Sequence, residues 1–213
     1  MKYTHIIWDF NGTLFDDVQA GILSVNKMLS ERGLKVIPNK EEYRKVFKFP
    51  IINYYRDIGF DFEKEPYEVL APIWVELYNE NSKSSGLQEG ALELLEFFKG
   101  CGAYQTLLSA TELSMLKGQI RELEIESFFS EVLGLGNIHA YSKKQIALDW
   151  RKRNPEALTL LIGDTEHDFD VAKAIEADCI LVCNGHQSRE ILNKYDCRLC
   201  EDLCDIIEYL KSK

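Results

Sequence analysis

Positive charge is what this chain is short of. Lys and Arg number 25 against 35 Asp and Glu, a formal net charge of -10 at pH 7. Phosphate backbones and anionic lipid surfaces select clustered Lys and Arg, so a nucleic-acid binder or an anionic-membrane binder is not expected. An anionic small ligand would need a local cation. Long apolar runs are also missing: none approaches the roughly 18 residues that a bilayer-spanning helix requires. Met1-Lys2-Tyr3 enters an apolar stretch directly, without the segments of a secretory leader, and the expected location is the cytoplasm. Internal repeats and low-complexity tracts are absent, which removes solenoid and array architectures.

Cysteine is sparse and its pattern is incomplete. Of six cysteines, Cys197, Cys200 and Cys204 form C-x-x-C-x-x-x-C, a spacing compatible with a metal site. Cys197 is expected on a short strand, however, and Cys204 shares a helical face with Leu203, Ile207 and Leu210. No fourth ligand lies nearby in sequence, so these are read as buried or idle thiols.

What is present belongs to a folded α/β protein. A chain of 213 residues, with 46% hydrophobic and 28% charged residues, can build one sizeable core and a smaller subdomain. Apolar runs bounded by polar turns recur at Tyr3–Trp8, Ala103–Ser109, Leu158–Ile162 and Cys179–Val182. Helical spacings fall between them: Leu92, Leu95, Phe97 and Phe98; Leu113, Leu116, Ile120 and Leu123; Ile146, Ala147 and Trp150; Val171, Ala172 and Ile175. Fully apolar strands alternating with helices predict a doubly wound parallel sheet covered on both faces. Sites in such folds form at the carboxyl ends of the strands.

One segment breaks the alternation. From about Asp16 to Ser85 the pattern is helical throughout, with Leu23, Met28 and Leu29, then Tyr43, Val46 and Phe47, then Val69, Ile73, Leu77 and Tyr78. An all-helical block between the first and second strands predicts a cap domain, returning through Asn81–Gly86 as a hinge.

Two strand ends carry the chemistry. The first is Trp8-Asp9-Phe10-Asn11-Gly12-Thr13-Leu14. Asp9 leaves the strand as a candidate nucleophile, Gly12 frees the turn, and Thr13 offers a hydroxyl, an arrangement suited to a phosphoryl group. The second is Gly163-Asp164-Thr165-Glu166-His167-Asp168, which delivers two carboxylates about one helical turn apart. A magnesium ion is satisfied by one or two carboxylates, a phosphate oxygen and waters at about 2.1 Å, and Asp9, Asp164 and Asp168 can supply that set. For any single one of these aspartates, a helix N-cap is the alternative role. Ser109 ends another strand, where its hydroxyl could meet a phosphate oxygen or cap the helix that starts near Glu112. Lys143 and Lys144 open an amphipathic helix, a position that opposes the macrodipole and suggests another use for one of them.

In this order, D-x-x-G-T-L, a strand-end Ser, a Lys and G-D-T-x-x-D, the chain resembles the haloacid dehalogenase-like (HAD) hydrolase superfamily, and within it the phosphoglycolate phosphatase-like group. The resemblance spans essentially the whole chain. It implies a Rossmann-like core from residues 1–15 and 87–213, a helical cap of the first type from 16–86, and a magnesium-dependent phosphatase acting on small phosphate esters. It also implies roles. Asp9 would become an aspartyl-phosphate, and magnesium would be held by Asp9, the backbone carbonyl of Asn11 and Asp164, with Asp168 in or just outside the coordination sphere. Gly12, Thr13, Ser109 and Ala110 would hold phosphate oxygens. Lys143, preferred to Lys144 by its Lys-x-x-Ile context, would offset the negative charge. A metal-free dehalogenase leaves Asp164 and Asp168 unexplained, and nothing marks Lys27, Lys40, Lys45 or Lys48 as the Schiff-base lysine of a phosphonate hydrolase.

Asn11 departs from the family pattern. The resemblance places there an aspartate that protonates the leaving alkoxide and then deprotonates water, and asparagine does neither. General acid-base help is worth about 10²- to 10⁴-fold, on the order of 3 to 5 kcal/mol. Three outcomes follow from the substitution: a phosphatase restricted to good leaving groups such as acyl phosphates, aryl phosphates or anhydrides; proton delivery by a neighbour such as His167; or a catalytically impaired phosphate- and metal-binding regulatory protein. Phe49, Pro50, Tyr54, Tyr55, Arg56 and Trp74 are candidates for pocket lining or for cap core. The sequence is silent on oligomeric state.

Overall fold

The computed structural model describes residues 2–136 and 143–211, the last without its side chain. In chain order the elements are β1 (His5–Trp8), α1 (Val18–Glu31), α2 (Lys40–Val46), α3 (Ile51–Asp57), α4 (Tyr67–Asn81), α5 (Ala91–Gly100), β2 (Tyr104–Glu112), α6 (Leu113–Glu122) and β3 (Glu131–Leu135). They continue with α7 (Lys143–Arg153), β4 (Thr159–Gly163), α8 (Glu166–Ala174), β5 (Asp178–Val182), α9 (Arg189–Leu192), β6 (Arg198–Cys200) and α10 (Leu203–Lys211). The strands form one parallel six-stranded sheet in the order β3-β2-β1-β4-β5-β6. The chain builds outward from β1 on one side, then resumes at β4 on the other. The topological switch therefore lies between β1 and β4, where such sheets open a crevice at their carboxyl ends.

Period-two alternation decides which residue faces which layer. Ile6 and Trp8 of β1 pack with Leu94, Leu95 and Phe98 of α5 and with Leu203 and Ile206 of α10. Ile7, between them, packs the other way with Trp150 of α7 and Val171 and Ile175 of α8. Two buried polar side chains in this core are paired: Trp8 Nε1 donates to Gln105 Oε1 at 2.9 Å, and Gln105 Nε2 donates to the Leu95 carbonyl at 3.0 Å.

Helices α1 to α4 share a separate apolar cluster of Val18, Ile22, Val25, Met28, Leu29, Tyr43, Tyr54, Tyr55, Phe60 and Leu70. Their entry and exit segments run side by side, with Asp16 N donating to the Gly86 carbonyl at 2.9 Å and Gln88 N to the Leu14 carbonyl at 2.9 Å. The buried stripes differ in detail from the sequence pattern. Leu23, Val69 and Leu92 are exposed, and their neighbours Ile22, Leu70, Leu94 and Leu95 are buried instead. Strand β3, with Val132, Leu133 and Leu135, is not among the expected strands. Cys197 precedes β6, and Cys200 lies in it. All six cysteines are free. No helix among the described residues is long and apolar enough to cross a membrane.

Candidate active site

Neighbouring parallel strands bring the two acidic motifs together. Trp8 of β1 pairs with Ile162 of β4, and the next residue, Asp9, donates its N–H to the Ile162 carbonyl at 2.9 Å. Asp9 and Asp164 thus leave the same edge of the sheet. The Thr13 hydroxyl lies 3.0 Å from Asp9 Oδ2 and 3.1 Å from Asp164 Oδ1, and its one proton is shared between them. Gly12 is required here: its φ is +75°, and a Cβ would run into the Asp164 carboxylate and the His186 ring.

Asp168 reaches the same centre from the first turn of α8. Each of Asp9, Asp164 and Asp168 has an oxygen within 4.8 Å of the others, and all three are buried. Asp168 Oδ2 closes a capping box with Thr165, accepting the Thr165 N–H at 3.0 Å and hydroxyl at 2.6 Å. Its Oδ1 accepts from Lys143 Nζ at 2.5 Å. Lys143 also donates to Asp9 Oδ1 and is only 3% exposed, whereas Lys144 is exposed. Ser142, which precedes this helix start, lies outside the described residues.

The charge state follows from burial and neighbours. Burial pushes the Asp9 carboxyl up to about 6, Lys143 opposes this, and Asp168 adds to it. Asp164 is raised well above the carboxylate range, first by burial, with His186 opposing. For Asp168, burial is outweighed by Lys143, which holds its carboxyl below the ordinary value. Lys143 stays protonated because Asp168 and Asp9 outweigh its desolvation.

Asn11 sits in a second polar cluster beside the first. Its Nδ2 donates to Asp17 Oδ2 at 2.9 Å and to the Tyr78 hydroxyl at 2.8 Å, while its Oδ1 accepts from the Thr111 hydroxyl at 2.8 Å and the Ser109 hydroxyl at 3.3 Å. Asp17 also accepts the Gly12 N–H at 2.7 Å and the Tyr78 hydroxyl at 2.5 Å. His186 completes the cluster. Its Nε2 is 3.2 Å from Asp17 Oδ1, its Nδ1 is 2.9 Å from the Tyr43 hydroxyl, and its backbone N–H donates to Asp164 Oδ2 at 2.6 Å. Burial would lower the imidazole, but Asp17 prevails and raises it to about 9; Asp17, despite its burial, is held below the ordinary range mainly by His186. Sequence reasoning missed both. Asp17 is the N-cap residue of α1, yet its side chain makes no cap bond and turns back into the site. His186 follows the carboxyl end of β5, the kind of position where the fold rule looks for sites.

The remaining expected residues divide. Ser109 and Ala110 line the cavity over Asp9, in a stretch of β2 where the pairing register with β3 shifts. Ser109 does not cap α6; Glu112 does, accepting the Ser114 and Met115 N–H groups at 3.0 Å. The Gly12 N–H and the Thr13 hydroxyl are engaged by Asp17 and by the two carboxylates. His167 also lines the cavity, its ring 4.7 Å from that of Phe49. Burial, with help from Lys143, lowers its pKa.

The cavity has a volume of about 400 Å³, with Asp9, Asp164 and Lys143 at its base and Tyr43, Phe47, Phe49, Tyr54, Trp74 and Tyr78 among its helical-block walls. Several bonds tie that block to the loop after β5. Arg44 Nε donates to the Gly185 carbonyl at 2.7 Å, and Ser188 N to the Arg44 carbonyl at 3.1 Å. Gln187 Nε2 donates to the Phe47 carbonyl at 3.2 Å.

Known proteins share this fold. A phosphoglycolate phosphatase from Pseudomonas savastanoi pv. phaseolicola is 22% identical over 214 residues, covering 95% of this chain and 78% of the relative. A haloacid dehalogenase-like family hydrolase from Streptococcus pneumoniae superposes with a TM-score of 0.82 at 19% identity, over 98% of both chains. CbbY from Rhodobacter sphaeroides, solved in complex with phosphate, superposes with a TM-score of 0.70 at 17% identity, over 96% of both chains. Residues 6–182 match the haloacid dehalogenase-like hydrolase family itself, and the chain belongs to that family.

Proposed function

We propose that the protein is a magnesium-dependent phosphatase that hydrolyses small phosphorylated metabolites through an aspartyl-phosphate on Asp9, and that Asn11 restricts it to substrates with good leaving groups. The observation carrying this reading is the convergence of Asp9, Asp164 and Lys143 at the β1/β4 switch point, at the base of the cavity. Four buried carboxylates, Asp9, Asp17, Asp164 and Asp168, face two basic groups, Lys143 and His186. This all-oxygen, undercompensated donor set fits a hard divalent cation. Asp9, Asp164 and the Asn11 backbone carbonyl would hold it, with Asp168, which also receives Lys143 and Thr165, in the coordination sphere or just outside it. When bound, magnesium supplies charge neutralisation at the phosphoryl oxygens.

An Asp9 carboxylate oxygen attacks phosphorus, the bond from phosphorus to the ester oxygen breaks, and the leaving group departs with the electron pair. Water then attacks the same phosphorus, the bond to Asp9 breaks, and inorganic phosphate is released with the Asp9 carboxylate restored. Lys143 offsets negative charge on Asp9 and on the transferring group. Asp168 positions Lys143, and Ser109 and Ala110 hold phosphate oxygens. Gly12 and Thr13 serve the phosphate site by ordering the carboxylates. Asn11 neither gives nor takes a proton, and its side-chain bonds fix the loop that follows the nucleophile.

That same fixed Asn11 favours a second reading, a catalytically impaired regulatory protein that binds phosphate and metal. One experiment separates the two. Purified protein with magnesium should release phosphate from acetyl phosphate and 4-nitrophenyl phosphate, and Asp9→Ala should lower that rate by at least about 10³-fold. No release from either substrate, while a phosphate analogue still binds with magnesium, would establish the regulatory reading instead.

A further inference from the structure

Building on the phosphatase reading, we propose that the substrate is an aryl phosphate: the group that leaves is a phenolate, and the cap walls hold its ring. Three independent features of the cavity point the same way. The first is its wall. Phe47, Phe49 and Trp74 are half-buried and line the cavity. Trp74 is stacked on Tyr78, with ring centroids 4.7 Å apart and an interplanar angle of 17°. Aromatic side chains lining a cavity suit a flat apolar partner.

The second feature is charge. Among the described residues that line the cavity, Lys143 is the one Lys and there is no Arg. Lys143 is already paired with Asp9 and Asp168, and His186 with Asp17. Glu112 and Asp17 add negative charge to the lining. A substrate carrying a carboxylate or a second phosphate beyond the transferred group would bury that anion without a counterion, which binding sites avoid. The phosphoglycolate named in the relatives carries such a carboxylate.

The third feature is the missing acid. Asn11 stands where proton donation to the leaving oxygen would occur, so the leaving group must depart unprotonated. Phenols ionise near pKa 10, against about 15.7 for water, and leave as anions far more easily than alkoxides. In the proposed step the bond from phosphorus to the aryl oxygen breaks, the phenolate takes the electron pair, and solvent protonates it after release.

The test compares four substrates with magnesium. 2-Naphthyl phosphate has ring and leaving group, acetyl phosphate a good leaving group without a ring, benzyl phosphate a ring without a good leaving group, and phosphoglycolate neither. We expect kcat/KM for 2-naphthyl phosphate to exceed that for phosphoglycolate by at least about 100-fold and that for acetyl phosphate by at least about tenfold. Benzyl phosphate should inhibit competitively and turn over about 100-fold more slowly than the naphthyl ester. Trp74→Ala and, separately, Phe49→Ala should lower the naphthyl-to-acetyl preference at least about fivefold. Calorimetric binding of benzylphosphonate and methylphosphonate reads the pocket without turnover, and the aromatic ligand should bind at least about tenfold tighter. Turnover of acetyl phosphate or phosphoglycolate at least as good as that of the naphthyl ester overturns the aryl assignment and leaves the phosphatase standing. No turnover of any substrate, with benzylphosphonate still preferred, overturns the phosphatase and keeps the aromatic pocket.

Discussion

Restoring a carboxyl group at position 11 tests the account of the leaving group most directly. In Asn11→Asp the new carboxylate replaces an amide whose nitrogen lies 2.9 Å from Asp17 Oδ2. Two unit charges about 4 Å apart repel by about 4 kcal/mol at an effective dielectric constant of 20. At about 1.36 kcal/mol per pKa unit, that raises the new carboxyl by about 3 units from an unperturbed value near 3.9, to roughly neutrality. The new group therefore exists partly as the acid at pH 7, the form needed to protonate a leaving alkoxide. The same shift carries a stability cost. A carboxyl with a raised folded-state pKa destabilises the protein above its unfolded value, so the variant should lose about 2 to 4 kcal/mol at pH 7. The penalty should vanish as pH falls below about 4, where folded and unfolded forms are both protonated. The activity assay is magnesium-dependent phosphate release from benzyl phosphate and from 4-nitrophenyl phosphate. The variant should gain about 10²- to 10⁴-fold in kcat on the benzyl ester and less than about tenfold on the nitrophenyl ester. An equal gain on both would refute the argument that Asn11 selects for leaving group. A variant as stable as wild type at pH 7 would refute the coupling to Asp17.

Two further substitutions probe the buried groups. Lys143→Met removes the one cation shared by Asp9 and Asp168, and breaking a buried pair from one side costs about 3 to 5 kcal/mol. Urea denaturation should show a loss in that range, and a loss below about 1 kcal/mol would mean that the pair is not sealed from solvent. Tyr54→Phe deletes a buried hydroxyl that has no partner. It should leave the free protein unchanged or more stable by up to about 1 kcal/mol, and a thermal midpoint lowered by several degrees would show that the hydroxyl is bonded after all.

Much of the fold was legible because it is local. Ile6, Ile7 and Trp8 are apolar in succession, which is the pattern of a strand covered on both faces, and they do divide between the two layers. Strand β3 was hidden for the opposite reason. All five of its residues are only partly buried, its run Glu131-Val132-Leu133-Gly134-Leu135 is interrupted by glycine, and it sits at the sheet edge. Helical spacing also located the block from α1 to α4 better than it located each helix's inward face. Val69 and Leu70 are adjacent apolar residues, and only packing against α1 decides that Leu70 is the buried one.

The site was legible where motif and strand end coincide, and not where the chain folds back on it. Asp9 and Asp164 each follow an apolar strand, so the expectation needed no tertiary information. Lys143 and Lys144 are adjacent and differ in sequence only by the Lys-x-x-Ile context of the first, yet one ammonium lies between two carboxylates and the other is exposed. Asp17 lies in an Asp16-Asp17 pair at a helix start, a setting in which capping is the ordinary use of an acidic side chain. It is turned inward because His186 arrives from a segment 169 residues away with a cation to meet it, and no spacing within either segment announces that pairing. The consequence reaches back to Asn11. An aspartate at position 11 would have to share the space with the Asp17 carboxylate, whereas an asparagine can donate to it. Asn11 is therefore the side chain that this acidic cluster accommodates at no cost in charge, and under the proposed mechanism that fit forgoes the proton that a poor leaving group would need.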